Sequence, residues 1–109
     1  MPKAIWIDST RKEISYVTYE TPDDMRDFIG GWLEIGAMLR DENVLYVDEE
    51  GLLKNPEHFF RFSLRPDQPL AGNGLIVGRE VLDEEGELIR MDDVALTVEE
   101  VWSMTRFWP

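Results

Sequence analysis

The sequence predicts an α+β fold: a single small domain of mostly antiparallel β-sheet, with two or three short helices on one face. The 109-residue chain is long enough for one domain over residues 1–109, and its 43% hydrophobic content supports a folded core. Short runs of β-branched and aromatic residues recur between turn residues, which is typical of strands. Only two or three segments carry helix-start signals, and many strands with few helices indicate the α+β class.

The first third of the chain predicts a β-hairpin followed by a helix. Residues 3–8 alternate around two isoleucines, and residues 12–19 are rich in β-branched and aromatic side chains. Thr21, followed by proline and two aspartates, is a helix-start pattern, because threonine caps the free N–H groups and acids favour the positive end of the dipole. Gly30-Gly31 is expected to end this helix.

The middle of the chain predicts two strands, a short helix and a long loop. Residues 32–39 fit a strand or a helix, and their position after a double glycine favours a strand; residues 44–48 form a second strand. Asn55-Pro56 resembles a helix cap followed by proline, so residues 58–62 are expected to form one or two helical turns. Two prolines and two glycines predict an irregular loop over residues 63–74.

The last third predicts a second hairpin and a closing helix. Residues 75–82 and 87–91 are interpreted as strands joined by an acidic turn. Thr97, with glutamate three residues later, is a capping box that begins a helix at residue 98. An aromatic C-terminus follows, which is expected either to pack on the sheet or to remain exposed for a partner.

Two segments carry the same four residues: Asp48-Glu49-Glu50-Gly51 and Asp83-Glu84-Glu85-Gly86. A calcium loop needs oxygen ligands at alternating positions, whereas consecutive acids diverge and cannot surround one ion. We therefore interpret both as hairpin turns with glycine at positive φ, which also concentrate negative charge at the edge of the sheet.

The formal net charge of −12 argues against direct binding to nucleic acid or to an anionic membrane. Residues 80–100 contain nine acids and a single arginine, so this part of the chain is expected to form a strongly negative surface. Simple solubility would also explain such a surface. The candidate interaction surface comprises Asp83, Glu84, Glu85, Glu87, Asp92 and Asp93, with Phe107 and Trp108 at the aromatic end.

Several kinds of site are not indicated. The chain has no cysteine and one histidine, which excludes disulfides and leaves too few ligands for a typical zinc site, so no metal, cofactor or catalytic residue is expected. No apolar run reaches signal-peptide or membrane-spanning length, and we expect a soluble cytoplasmic protein.

A small-molecule site is the alternative prediction. Its candidate residues are Glu34, His58, Arg61 and Arg79. A carboxylate on a half-buried strand would have a perturbed pKa, although Glu34 would also fit an ion pair or an exposed position. Arg61, Arg65 and Arg79 form a basic-aromatic cluster with Phe59, Phe60 and Phe62. This combination could stack on a nucleotide or hold a carboxylate, or the phenylalanines could belong to the core.

Three segments in the middle half of the chain together resemble a known family. They are residues 29–34, residues 47–53 with Asn55, and residues 69–78, which begins Pro-Leu-Ala-Gly-Asn-Gly. In this order they resemble domain of unknown function 3846, a family of small acidic proteins from phages, plasmids and bacterial genomes. The resemblance implies a bacterial or phage cytoplasmic setting and no known activity, cofactor or catalytic residue.

The sequence thus favours a non-enzymatic protein-binding or regulatory module that engages a basic or apolar surface of a partner. A specific version is a DNA mimic, whose carboxylates would occupy the cationic groove of a DNA-binding enzyme. Self-association through the aromatic end is a further option. A small-molecule-binding domain or weak enzyme is the competing hypothesis.

Overall fold

The computed structural model describes residues 1–108 as strands, two α-helices and short 3-10 turns, with strands numbered below in chain order. A five-stranded antiparallel sheet forms the centre. Its members are β1 Lys3–Asp8, β2 Glu13–Thr18, β3 Leu33–Met38, β4 Val44–Asp48 and β7 Gly74–Val77. Their order across the sheet is β2-β1-β7-β4-β3, so the short, fully buried β7 lies in the middle.

Two smaller sheets complete the fold. A three-stranded sheet has the order β10-β5-β6 and consists of β5 Phe59–Phe62, β6 Arg65–Ala71 and β10 Thr105–Trp108. A separate hairpin pairs β8 Glu80–Leu82 with β9 Leu88–Met91. The α-helices are α1 Pro22–Ile29 and α2 Val98–Met104, and 3-10 turns occupy Arg40–Glu42 and Gly51–Lys54. The α+β class with a mostly antiparallel sheet is confirmed.

Both α-helices begin as their sequences predict. The Thr21 side chain accepts a hydrogen bond from the backbone N–H of Asp24, whose carboxylate accepts one from the N–H of Thr21. Thr97 and Glu100 make the same reciprocal pair at α2. Gly30 ends α1 in the left-handed conformation at φ 84°, which glycine adopts without a steric penalty.

The two α-helices lie on opposite faces of the central sheet, which corrects the expectation that they share one face. Met25 and Ile29 of α1 pack with Leu75 of β7. Val101 of α2 packs with Ile76 of the same strand, together with the inner side of the three-stranded sheet. Since neighbouring residues of a strand point to opposite faces, each side of the sheet has its own hydrophobic core.

Residues 58–62 do not form the expected helical turns. Phe60 and Phe62 are buried and Arg61 between them is exposed, a two-residue period that belongs to a strand. The expected loop at residues 63–74 is also wrong in its larger part, because β6 occupies it. Proline cannot donate a ladder hydrogen bond, but β6 is an edge strand, where prolines are tolerated.

Three further expectations need correction. Residues 75–82 form two strands of different sheets, β7 and β8, rather than one. The first acidic segment does not close a hairpin, since β4 leads into the 3-10 turn at Gly51–Lys54. Gly51 has no positive φ, in contrast to Gly86 at φ 85°. The C-terminal residues Thr105–Trp108, which were not predicted as a strand, pair with β5 as β10.

Within residues 1–108, no helix has the length and apolar character needed to cross a membrane.

Candidate functional site

The second hairpin projects from the domain as an arm, defined here as residues 80–91. Its strands pair only with each other among residues 1–108, and most of its residues are exposed. The base of the arm is fixed. The N–H of Asp92 donates to the carbonyl of Arg79 at 2.9 Å, and the N–H of Val94 donates to the carbonyl of Lys3 at 2.8 Å. Gly78 passes so close beneath Asp92 that any side chain there would overlap the Asp92 carbonyl oxygen.

The tip of the arm is a well-formed acidic turn. Asp83 Oδ1 accepts hydrogen bonds from the N–H groups of Glu85 and Glu87, both at 2.9 Å. Gly86 at φ 85° completes the turn. The carboxylates of Glu84, Glu85 and Glu87 form no ion pair within residues 1–108. The tip therefore presents the carboxylates of Glu84, Glu85 and Glu87 to a partner. The hydrogen bonds that Asp83 accepts fix the backbone of the turn that carries them.

Large aliphatic side chains accompany these charges on the arm. Leu82, Leu88 and Ile89 are 49%, 56% and 59% exposed. Leu88 and Ile89 are neighbours on one strand, so they point to opposite faces of the hairpin. Neither face of the arm is therefore purely polar, and both faces offer apolar surface to a partner.

A groove of about 490 Å³ lies between the base of the arm and the outer part of β3 and β4. Its apolar lining includes Ile35, Met38, Tyr46, Leu82 and Met91, and its acidic residues are Glu42 and Glu80. Burial raises the pKa of Tyr46, and burial together with Tyr46, Asp93 and Glu80 raises the pKa of the adjacent Tyr19 to about 12. Both phenols therefore stay neutral at physiological pH, and the groove combines apolar walls with negative charge.

Two acids of the predicted interaction surface have structural partners. Asp92 forms ion pairs with Arg79 and with Arg90, each at 3.3 Å. Asp93 accepts a hydrogen bond from the N–H of Lys3 at 2.8 Å. These two carboxylates have contacts at the base of the arm. The acids of the predicted surface whose carboxylates form no hydrogen bond or ion pair among residues 1–108, Glu84, Glu85 and Glu87, lie at the tip.

The aromatic end lies on a different part of the molecule. Phe107 is partly buried against the core below the three-stranded sheet and meets Trp102 edge-on, with ring centroids 5.8 Å apart. Trp108 is 56% exposed, and the Arg61 guanidinium lies 5.5 Å from the centre of its ring. The predicted surface therefore divides into the arm and the outer face of the three-stranded sheet.

The four residues of the predicted small-molecule site are not brought together. Glu34 is exposed on β3 and lines a small depression of about 80 Å³. Arg61 lines a cleft next to α2, and Arg79 lines a third depression beside Asp92. His58 lines none of these three. Among residues 1–108, no three His, Cys, Asp or Glu side chains form a group suited to a metal ion.

Sequence reasoning identified the acids of the arm but missed its apolar side chains. The signal was present in the adjacent Leu88 and Ile89, because a two-stranded hairpin without a covering layer cannot bury both of its faces. It also missed Arg106, which lies opposite Arg61 in the β10–β5 pair.

Comparison with known proteins identifies a family. The model of a family described as "Domain of unknown function (DUF3846)" matches residues 2–103. No curated protein and no solved structure matches the chain.

Proposed function

This chain belongs to the DUF3846 family, and from that premise we propose that it is a non-enzymatic binding module whose arm engages a protein partner. The observation that carries the proposal is the composition of the exposed arm. Three carboxylates at the tip, which form no ion pair among residues 1–108, lie beside three half-exposed aliphatic side chains on a hairpin with a fixed base. Exposed apolar surface mixed with charge is characteristic of interaction sites.

The expected partner has an apolar patch bordered by lysine or arginine. The aliphatic side chains of the arm and the groove would bury against the patch, which supplies most of the binding free energy. The tip carboxylates would meet the basic residues, which speeds association and selects the partner more than it adds affinity. Each strand of the arm also has an edge without a strand partner within residues 1–108, so a strand of the partner could extend the hairpin.

In the DNA-mimic version of the proposal, the arm occupies the cationic groove in which a DNA-binding enzyme holds the phosphates of DNA. A surface that imitates phosphates alone does not need Leu82, Leu88 or Ile89 exposed. The mixed composition therefore favours a protein surface of mixed character over a purely cationic groove. Competition by duplex DNA decides between the two versions, because a DNA mimic and DNA exclude each other from the same site.

The competing small-molecule hypothesis loses its main support. It required Glu34 and His58 to converge with arginines in one pocket, whereas Glu34, Arg61 and Arg79 line three separate depressions. The proposed role is therefore binding rather than catalysis, and it assigns no cofactor. The proposed setting is the cytoplasm of a bacterial or phage-infected cell, which cell fractionation tests.

The chain provides its own matched control for the experiment. Glu84→Lys/Glu85→Lys reverses two charges at the tip, and Glu49→Lys/Glu50→Lys makes the same change in the other Asp-Glu-Glu-Gly segment, where both glutamates are also exposed. Tagged wild type, tip variant and control variant are used to capture partners from the native cell, with salt elution. We expect one set of proteins to be captured by wild type and control and at least about tenfold less by the tip variant.

A second variant, Leu88→Ser/Ile89→Ser, removes apolar surface without changing charge, and we expect it to reduce capture at high as well as low salt. Equal capture by wild type and both arm variants would overturn the proposal. Equal loss from the tip and control variants would show that total charge, rather than the arm, decides binding.

A further inference from the structure

Most arginines of the chain form ion pairs with acids among residues 1–108. Within residues 1–108, the arginines that form an ion pair with a carboxylate are Arg11, Arg26, Arg40, Arg65, Arg79 and Arg90. Arg61 and Arg106 form no such pair in this part of the chain. In a protein of net charge −12, two exposed arginines with no carboxylate partner among residues 1–108 provide positive charge that can bind an anion.

These two arginines lie directly opposite each other. Arg61 of β5 and Arg106 of β10 are partners in the antiparallel register, and both are exposed. Cross-strand neighbours have Cβ atoms about 5 Å apart, and like charges in this position destabilise a sheet. The fold accepts this repulsion although acids are plentiful. An anion placed between the guanidinium groups would turn the repulsion into attraction.

A cleft adjoins the pair. It has a volume of about 450 Å³ and lies between the three-stranded sheet and α2, and it falls within the size range of small-molecule sites. Its lining includes both arginines, Ser63, Pro66, Trp102 and Met104. Trp102 is 44% exposed, and its edge-on contact with Phe107, at an interplanar angle of 78°, orients its ring. The cleft thus places a flat apolar surface beside two positive charges.

We propose that this cleft binds a small ligand that carries a phosphate group and a flat aromatic group, a class represented by nucleoside monophosphates. The guanidinium groups of Arg61 and Arg106 would bind the phosphate, because arginine presents planar paired donors that match phosphate oxygens. The ring of Trp102 would stack on the aromatic group. The negative charge of the rest of the chain disfavours long nucleic acids, whose many phosphates would extend beyond the two arginines.

This site is independent of the arm, and its test separates the two. Adenosine monophosphate, adenosine and inorganic phosphate are titrated separately into the protein at about 0.15 M salt. Binding is followed by tryptophan fluorescence and by NMR of the indole N–H groups. We expect adenosine monophosphate to bind at least about tenfold tighter than either fragment, since it alone engages the arginines and the ring together. The Trp102 signal should respond, and the tip variant Glu84→Lys/Glu85→Lys should bind as wild type does.

Matched variants test each contact. Arg61→Ala and Arg106→Ala should each weaken binding about tenfold, whereas Arg90→Ala, which removes an exposed arginine of the arm, should change it less than about twofold. Trp102→Leu should weaken binding, and the control Trp32→Leu, at another exposed tryptophan, should not. Removal of Arg106 relieves like-charge repulsion, so Arg106→Ala should not unfold more readily than wild type, whereas Arg61→Ala also loses the contact with the Trp108 ring.

The proposal is overturned if no probe perturbs the Trp102 signal at about 10 mM, a concentration that would reveal binding of millimolar affinity. It is also overturned if Arg90→Ala weakens binding as much as Arg61→Ala, or if duplex DNA or an acidic peptide binds this face more tightly than adenosine monophosphate does.

Discussion

The two Asp-Glu-Glu-Gly segments have the same residues and different structures. In the first, the Asp48 carboxylate is 8% exposed and accepts hydrogen bonds from Lys54 Nζ at 2.7 Å and from the N–H of Glu50 at 3.0 Å. Gly51 is buried against Ala71 and opens a 3-10 turn. In the second, the Asp83 carboxylate accepts hydrogen bonds within its own turn, and Gly86 is exposed at φ 85°.

The difference shows which part of such a motif is local. In both segments the aspartate accepts a hydrogen bond from the N–H two residues later, because a short carboxylate side chain favours this turn geometry. The role of the glycine depends on the rest of the structure. Gly51 leaves room for Ala71 of a neighbouring strand, whereas Gly86 adopts the positive φ that its turn requires.

The largest difference in stability between the two segments is expected when asparagine replaces the glycine of each. A Cβ at residue 51 would lie 3.1 Å from the Cβ of Ala71 and 3.2 Å from its carbonyl oxygen, so Gly51→Asn should lower the free energy of unfolding by about 2–3 kcal/mol. Gly86→Asn should cost less than about 1 kcal/mol, because asparagine tolerates positive φ and no atom lies within 4 Å of that Cβ. Urea denaturation measures both, and equal losses would contradict this account of the comparison.

The next largest effect is an expected loss of stability at alkaline pH, which arises from Tyr19 near the base of the arm. The pKa of Tyr19 is raised to about 12, mainly by burial, with contributions that include Asp93 and Glu80 at the base of the arm. Its pKa in the unfolded chain is about 10, so the stability it contributes is present below pH 10 and is lost as the pH rises towards 12. Wild type should therefore lose up to about 2 kcal/mol across this range.

Tyr19→Phe provides the control. It removes the titrating hydroxyl, which has no hydrogen-bond partner within residues 1–108, and should therefore reduce the alkaline loss while keeping or raising stability at pH 8. Urea denaturation at several pH values between 8 and 12 tests it. A variant with the same pH dependence as wild type would exclude Tyr19 as the cause.

A smaller difference in thermal stability is expected between variants of the two aspartates, Asp48 and Asp83. Asp48→Asn removes the charge that pairs with Lys54, and this carboxylate is nearly buried. Asp83→Asn keeps a side-chain oxygen that can accept the same two backbone hydrogen bonds in an exposed turn. The decrease in the thermal midpoint should therefore be several-fold larger for Asp48→Asn than for Asp83→Asn. The reverse order would indicate that the arm turn, rather than the first segment, is the better-anchored structure.

The smallest effect on stability is expected at the paired glutamates. Glu84→Gln/Glu85→Gln and Glu49→Gln/Glu50→Gln should each change the free energy of unfolding by less than about 0.5 kcal/mol, because all four side chains are exposed. Partner capture should nevertheless fall only for the first pair. If Glu84→Gln/Glu85→Gln destabilised the protein enough to account for the loss of capture, unfolding rather than a lost contact would explain that loss.

Local signals in the sequence predicted several elements well. The first hairpin, the Thr21 cap, the capping box at Thr97 and the glycine that ends α1 depend on neighbouring residues only, and all are present in the structure. The errors share one cause. Residues 58–62 follow a helix-start pattern, but residues 59–62 form β5, because Phe60 and Phe62 face a core assembled from distant strands. The prolines of residues 63–74 predicted a loop, and only the edge position of β6 makes a strand possible there.

The candidate sites follow the same division. Charge is a sum over residues, so the sequence alone determined the acidic character of residues 80–100 and of the tip that those residues form. Which carboxylates stay free depends on contacts across the chain, such as those of Asp92 with two arginines and of Asp93 with Lys3.

The sequence by itself determined the α+β class, the capped helices and the strong negative charge of this protein, because these depend on composition and on residues close in the chain. Only the tertiary structure decided that the helices lie on opposite faces, that Arg61 meets Arg106, and that two identical acidic segments differ. The physical reason is that strand pairing and burial join residues far apart in sequence, and no local pattern specifies which distant surface each residue will contact.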